Sequence, residues 1–275
     1  MRNLVLHIGH GKTGTSYIQS VLAMNTTRLL DLNIKYPSHI SLNEAKRGKV
    51  TSGNGLLILD EEIYDIDNHA ILLSGEHLFH RLLENDNLKK SVIRKFENTT
   101  VILYTRNVYD MNLSLWGQHV KRHGMTSSLN KYMKNHSDVH FSKVLQWIKM
   151  SLDYKIDLKI FNYSNHSQDI IDHFFSVIAE TLNLRSSQFE KFKLPAQSFV
   201  NRSLSYFEYK LIRILNSISP VKGRKTSDFL VNQLPFIPSY SPKISAETRI
   251  LLEDKYGKLV EDINYYLNDS ELIKI

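Results

Sequence analysis

The chain of 275 residues contains no cysteine, so neither a disulfide framework nor a thiolate metal site is open to it. Proline is scarce, and three of the six fall within Leu234–Pro242. No stretch approaches the roughly 18 apolar residues of a membrane span. The N-terminus runs straight into a strand pattern, without the basic region, apolar core and cleavage site of a signal peptide. A cytoplasmic protein with no transmembrane segment is expected. No low-complexity linker, repeat or compositional break divides the sequence, and 42% hydrophobic residues suffice for one large core, so a single domain over 1–275 is expected.

What is present begins six residues from the N-terminus. The run His7-Ile8-Gly9-His10-Gly11-Lys12-Thr13-Gly14-Thr15-Ser16 follows the apolar strand pattern Leu4-Val5-Leu6 and leads into a helical pattern from Tyr17 to Met24. Glycines let a backbone approach an anion closely, a helix start leaves N–H groups unsatisfied, and a lysine with clustered hydroxyls adds charge and donors. A lone Gly-x-Gly would be an ordinary tight turn. Here Lys12, Thr13, Thr15 and Ser16 accompany Gly9, Gly11 and Gly14, which points to phosphate binding.

Two well-known phosphate loops fit poorly. A Walker A loop needs a glycine five positions before Gly11, where Leu6 stands. A dinucleotide loop would accept Gly9, Gly11 and Gly14, but Lys12-Thr13 between them and the lack of a clear acidic strand end about 20 residues on weaken it.

Lys12-Thr13-Gly14-Thr15-Ser16 resembles, position for position, the 5′-phosphosulfate loop of sulfotransferases that use 3′-phosphoadenosine 5′-phosphosulfate (PAPS). A second segment adds to the resemblance. The β-branched run Thr100-Val101-Ile102-Leu103-Tyr104 is followed by Arg106 and, eight residues later, Ser114, the spacing of that family's 3′-phosphate site. A guanidinium fork suits phosphate oxygens, and a hydroxyl on the following helix supports it. The family usually carries Asp-Pro after the arginine, whereas this chain has Asn107-Val108. Weaker likeness extends to Ile71–Glu76, Leu158–Tyr163 and Asn201–Ser205.

The resemblance implies a bacterial, carbohydrate-sulfotransferase-like enzyme that moves the sulfuryl group of PAPS to a hydroxyl or amine by in-line displacement, with no metal. Gly11, Lys12, Thr13, Gly14, Thr15 and Ser16 would hold the 5′ end, and Arg106 with Ser114 the 3′-phosphate. Lys12 would donate to the leaving oxygen. For the base, Glu76 is favoured at a strand end, as related carbohydrate and tyrosyl sulfotransferases use a glutamate; His77 competes, with a suitable ordinary pKa. A plain structural role for Glu76 is helix N-terminal support. His10 could reach the sulfate or fill the turn. A glycan is the first choice of acceptor, ahead of a lipid or small metabolite. The alternative is a P-loop-type nucleotide kinase or a non-catalytic nucleotide-binding module.

Strand patterns near Leu4–Ile8, Ile71–Ser74, Val101–Thr105 and Leu158–Phe161 alternate with helical ones at Thr15–Met24, Leu88–Phe96, Met111–Arg122, Val144–Tyr154 and Ile170–Leu182. Alternation of this kind argues for an α/β chain. With the resemblance, the expected architecture is a three-layer P-loop-like fold: a central parallel sheet flanked by helices, and a helical C-terminal third carrying Tyr206–Asn216 and Glu247–Leu267. Ligands of such sheets sit outside the carboxyl ends of the strands, where Gly9, Glu76 and Arg106 fall.

The net charge of +7 suits an anionic nucleotide cosubstrate. Nucleic acid is disfavoured, because the basic clusters Lys46–Lys49 and Lys222–Lys225 carry no interleaved aromatics. The histidine pairs His119/His123 and His77/His80 lack the third ligand of a zinc site. Irregular stretches at Pro37–Gly55 and Leu234–Pro242 are candidates for shaping an acceptor cleft, and Trp116 and Trp147 could stack on a sugar or fill the core.

Overall fold

The computed structural model describes residues 2–47, 51–64, 68–137, 139–195, 204–233 and 242–275. In chain order its strands and α-helices are β1 (Asn3–Gly9), α1 (Thr15–Met24), α2 (Thr26–Asp31), β2 (Ile34–Lys35), α3 (Leu42–Lys46), β3 (Ala70–Gly75), α4 (Leu78–Glu84), α5 (Asp86–Ile93), β4 (Asn98–Thr105), α6 (Val108–Arg122), α7 (Leu129–His136), α8 (Phe141–Tyr154), β5 (Asp157–Asn162), α9 (Tyr163–His166), α10 (Ile170–Leu182), α11 (Tyr206–Ile218), α12 (Pro220–Gln233) and α13 (Ala246–Asn264). They gather into two compact units. The first holds 1–106, 142–200 and 267–272; the second holds 107–141, 201–266 and 273–275.

The first unit is built on a five-stranded sheet in the order β2-β3-β1-β4-β5, with every pairing parallel. Parallel strands of this kind are covered on both faces, which is why β1, β3 and β4 read as nearly unbroken apolar runs with buried side chains. One face packs against α1 and α10: Val5, Leu72, Ile102 and Tyr104 meet Ile18, Val21, Leu22, Phe174 and Ile178 in one core. On the other, Phe79 of α4 and Trp147 of α8 are fully buried, and the Trp147 indole N–H donates to the Phe79 carbonyl at 3.0 Å. Trp147 is therefore core, with no face for a sugar.

Register places the functional edge. Ile8 lies beside Gly75 and Leu103, Gly9 beside Tyr104, and Thr105 beside Asn162. Residues that follow β1, β3, β4 and β5 thus leave the sheet along one edge. The chain goes from β1 out to β2, returns through β3, then passes to the far side of β1 as β4, so the order reverses between β1 and β4. Ligand crevices of open α/β sheets form at such a reversal.

Pro37–Gly55, expected as an irregular loop, contains α3, and residues 48–50 lie outside the described residues. Its end is tied to the sheet by Asn54. The Asn54 amide donates to the Pro37 and Leu72 carbonyls, both at 3.3 Å, and its oxygen accepts the Ser74 N–H at 2.7 Å. A buried side-chain amide here replaces ladder bonds that a two-residue edge strand cannot supply, which sequence periodicity does not register.

The second unit is helical. Trp116 of α6 is fully buried, donates to the Ser127 carbonyl at 2.9 Å and packs on Tyr209 of α11, so it too belongs to a core. Asn216 of α11 donates to the Val120 and Met125 carbonyls, at 2.9 and 3.1 Å. Helix α6 begins at Val108, three residues ahead of the expected Met111, because the Asn107 carbonyl already accepts the Met111 N–H. Ser205 opens α11 as a capping box with Glu208, while Asn201–Ser203 and the stretch 234–241 lie outside the described residues. Among the described residues no helix is long and apolar enough to cross a membrane.

Candidate functional site

The Gly-rich run forms the turn between β1 and α1. Three of four consecutive positions hold left-handed backbone: Gly11 (φ 80°), Lys12 (φ 59°) and Gly14 (φ 74°). Lys12 pays a conformational cost there that glycine does not, of the order of 1–2 kcal/mol. Gly14 is the N-cap of α1 and offers no side-chain cap, so the first-turn amides are left for an external acceptor. The carbonyl of Gly14 starts the helix, accepting from Tyr17 and Ile18 at 2.9 and 3.1 Å.

Two glycines are required by close approach. A Cβ on Gly9 would come within 2.5 Å of Thr15 Oγ1 and 2.9 Å of Glu76 Cγ; one on Gly14 would come within 2.9 Å of the Tyr163 ring. Glu76 and Tyr163 therefore wall the turn from strands on opposite sides of β1. Glu76 is the first residue after β3, and Tyr163 the first after β5.

Inside the turn, the hydroxyls of Thr13 and Thr15 are buried and have no hydrogen-bond partner, and so is Arg106 Nε. An unpartnered buried polar group costs about 1–3 kcal/mol. Three gathered at one glycine-rich turn are what a cradle for an anionic group would contain, and they are the observation on which a phosphate fits.

Arg106, the first residue after β4, reaches the same turn. Its Nη1 donates to the Lys12 carbonyl at 3.1 Å, and its guanidinium lies 5.1 Å from the Tyr163 ring centre, a cation–π distance. The segments that sequence spacing sets some ninety residues apart are thus directly bonded. Thr105 contributes as well: its hydroxyl lies 3.0 Å from His10 Nδ1, while the His10 ring packs on Phe79 with centroids 4.8 Å apart. His10 is held in the wall of the turn.

Lys12 and Glu76 feel one another. Burial pulls the Lys12 ammonium below the usual lysine range, and the Glu76 carboxylate partly offsets this. Glu76 is itself exposed, as is His77, which takes the N-cap position of α4. Ser16 is half-buried in the first turn of α1. Ser114 is half-buried in the second turn of α6, in the second unit.

Beneath the turn, His7 is fully buried and paired by Nδ1 with Ser74 Oγ at 2.8 Å; burial lowers its pKa to about 3. Tyr163, Thr105 and the His7–Ser74 pair were not legible as site residues. For Tyr163 the available signal was its place right after a strand of the parallel sheet. The others depend on register, which no local pattern carries.

Neither a protein-family model nor a curated protein matches the chain. Among solved structures, the chain is similar to the crystal structure of a sulfotransferase from Alicyclobacillus acidocaldarius, at 11% identity and a TM-score of 0.49, over 95% of this chain and 94% of that one.

Proposed function

We propose that the chain transfers a sulfuryl group from PAPS to an acceptor hydroxyl or amine, a glycan in the first instance. The observation that carries this is the set of polar groups left unsatisfied at the turn. The Thr13 and Thr15 hydroxyls and Arg106 Nε are buried with no protein partner, in a turn that also carries Lys12.

PAPS supplies an activated sulfuryl group linked through oxygen to the 5′-phosphate. Gly11, Thr13, Gly14, Thr15 and Ser16 hold that phosphate through hydroxyls and helix N-terminal amides. Arg106 braces the Lys12 carbonyl, keeping the left-handed turn closed, and is assigned to the 3′-phosphate. The acceptor oxygen forms a bond to sulfur as the bond from sulfur to the phosphate oxygen breaks. Glu76 takes the acceptor proton, with His77 next in line. Lys12 donates to the departing oxygen, where negative charge grows; a cation stripped of part of its water acts more strongly on that charge than a hydrated one.

Calorimetric titration of the full chain with 3′,5′-adenosine diphosphate, and separately with ATP plus magnesium, tests the reading. Tight, metal-independent binding of the bisphosphate is expected, weakened at least about ten-fold in Lys12→Ala and in Arg106→Ala, as loss of a charge-assisted hydrogen bond requires. Preference for ATP with magnesium would turn the assignment toward a kinase. Radiolabelled PAPS supplied to fractionated extract then identifies the acceptor.

A further inference from the structure

Helix α11 in the second unit has two apolar faces. One is turned inward: Ile212 is fully buried, Tyr209 packs on Trp116, and Asn216 is bonded to two carbonyls. The opposite face carries Phe207, Leu211, Ile214 and Ile218, spaced i, i+4, i+7 and i+11, and they are 74%, 38%, 61% and 69% exposed. At 100° per residue these four fall within about 60° of arc and run about 17 Å along the helix. Val221, at the start of α12, is also exposed, at 63%. Single exposed apolar residues need no explanation, but an aligned row on a surface helix does.

The charges beside the row identify the occupant. Between Tyr206 and Gln233 stand Lys210, Arg213, Lys222, Arg224 and Lys225, against two acids. Both acids are engaged: Glu208 in the capping box with Ser205, and Asp228 with Arg122 at 2.6 Å. Lys210, Lys222, Arg224 and Lys225 are exposed. A second copy docked about a two-fold axis would set these cations against each other. A surface of anionic phospholipid headgroups would meet them with opposite charge while accepting the apolar row among its acyl chains.

We propose that α11 and the start of α12 form a peripheral docking face for an anionic lipid bilayer. Phe207, Leu211, Ile214, Ile218 and Val221 enter the interface, with Lys210, Lys222 and Lys225 at headgroup level. The face is independent of the sulfuryl-transfer reading and stands if that reading fails.

The test is co-sedimentation of the full chain with vesicles of neutral phosphatidylcholine and with vesicles containing about one-third phosphatidylglycerol, a strongly anionic surface. Binding to the anionic vesicles at least about ten-fold tighter than to the neutral ones is expected, falling as salt is raised. Lys222→Gln/Lys225→Gln is expected to weaken it about 25-fold, at roughly five-fold per cation. Ile214→Gln/Ile218→Gln is expected to weaken it at least about ten-fold while leaving bisphosphate binding unchanged. Equal affinity for both vesicle types, no binding to either, or binding untouched by both double variants would overturn the proposal. So would a concentration-dependent dimer in analytical ultracentrifugation that Ile214→Gln/Ile218→Gln abolishes. If either double variant fails to fold, the single variants Ile214→Gln and Lys222→Gln take its place, and binding unchanged in both would overturn the proposal.

Discussion

His7→Asn changes a side chain at the centre of the sheet, and its effect on acid stability can be worked through. The imidazole is fully buried between β3 and the α10 side of the core, with the Phe174 ring 5.3 Å away and the Tyr104 ring 6.0 Å away. Burial holds its folded pKa near 3 against an unfolded value of 6.5. Above 6.5 both states are neutral and the group's full contribution is present. As pH falls below 6.5 the unfolded chain takes up a proton that the folded chain refuses, so stability declines toward pH 3 and then levels off. At about 1.4 kcal/mol per unit, wild type loses about 2 kcal/mol at pH 5 relative to pH 8 from this group alone. Asparagine keeps a polar atom near Ser74 Oγ and cannot titrate. Urea unfolding of both proteins at the two pH values gives the measurement, and subtracting the variant's loss from that of wild type cancels the carboxylates and other histidines. Wild type should lose about 2 kcal/mol more than the variant. Equal losses in the two proteins would refute the buried, neutral state assigned to His7.

Two further outcomes follow from the turn. Gly14→Ala places a Cβ in left-handed backbone and against Tyr163, and should cost about 1–2 kcal/mol for the backbone alone in urea unfolding; adding Tyr163→Ala should recover the contact part and leave the backbone part. Glu76→Gln should leave 3′,5′-adenosine diphosphate affinity within about two-fold and lower kcat by about 10²–10⁴. It should also move the Lys12 pKa further down, since the carboxylate that raises it is gone; an unchanged Lys12 titration by NMR would deny the pairing.

Much of the frame was legible because it rests on local periodicity. Helices α1 and α10 match the sequence expectation at both ends, β1, β3 and β5 lie within one residue of it, and β4 begins three residues early. The apolar runs of β1, β3 and β4 are buried on both faces, so composition alone marks them, while the edge strand β5 is mostly half-buried. Helix α12 escaped, since Lys222, Gly223, Arg224 and Lys225 interrupt any helical stripe; it is held by close packing of Gly223 on Asn216 instead. The tie of Asn54 to β3 escaped for a similar reason: one amide bonds partners 17 and 18 residues away.

Order along the chain alone carries the make-up of the turn: glycines where backbone turns left-handed, a lysine, and hydroxyls before a helix. Those needs are met within eight consecutive residues, so order along the chain expresses them. Only the tertiary structure decided which strand ends face that loop. The parallel register of β3, β4 and β5 against β1 and its neighbours brings Glu76, Arg106 and Tyr163 to it, leaves Thr13 and Thr15 without partners, and buries His7 below. Contacts between strands depend on which residues lie side by side, and a one-residue change of register would turn each of those side chains to the opposite face.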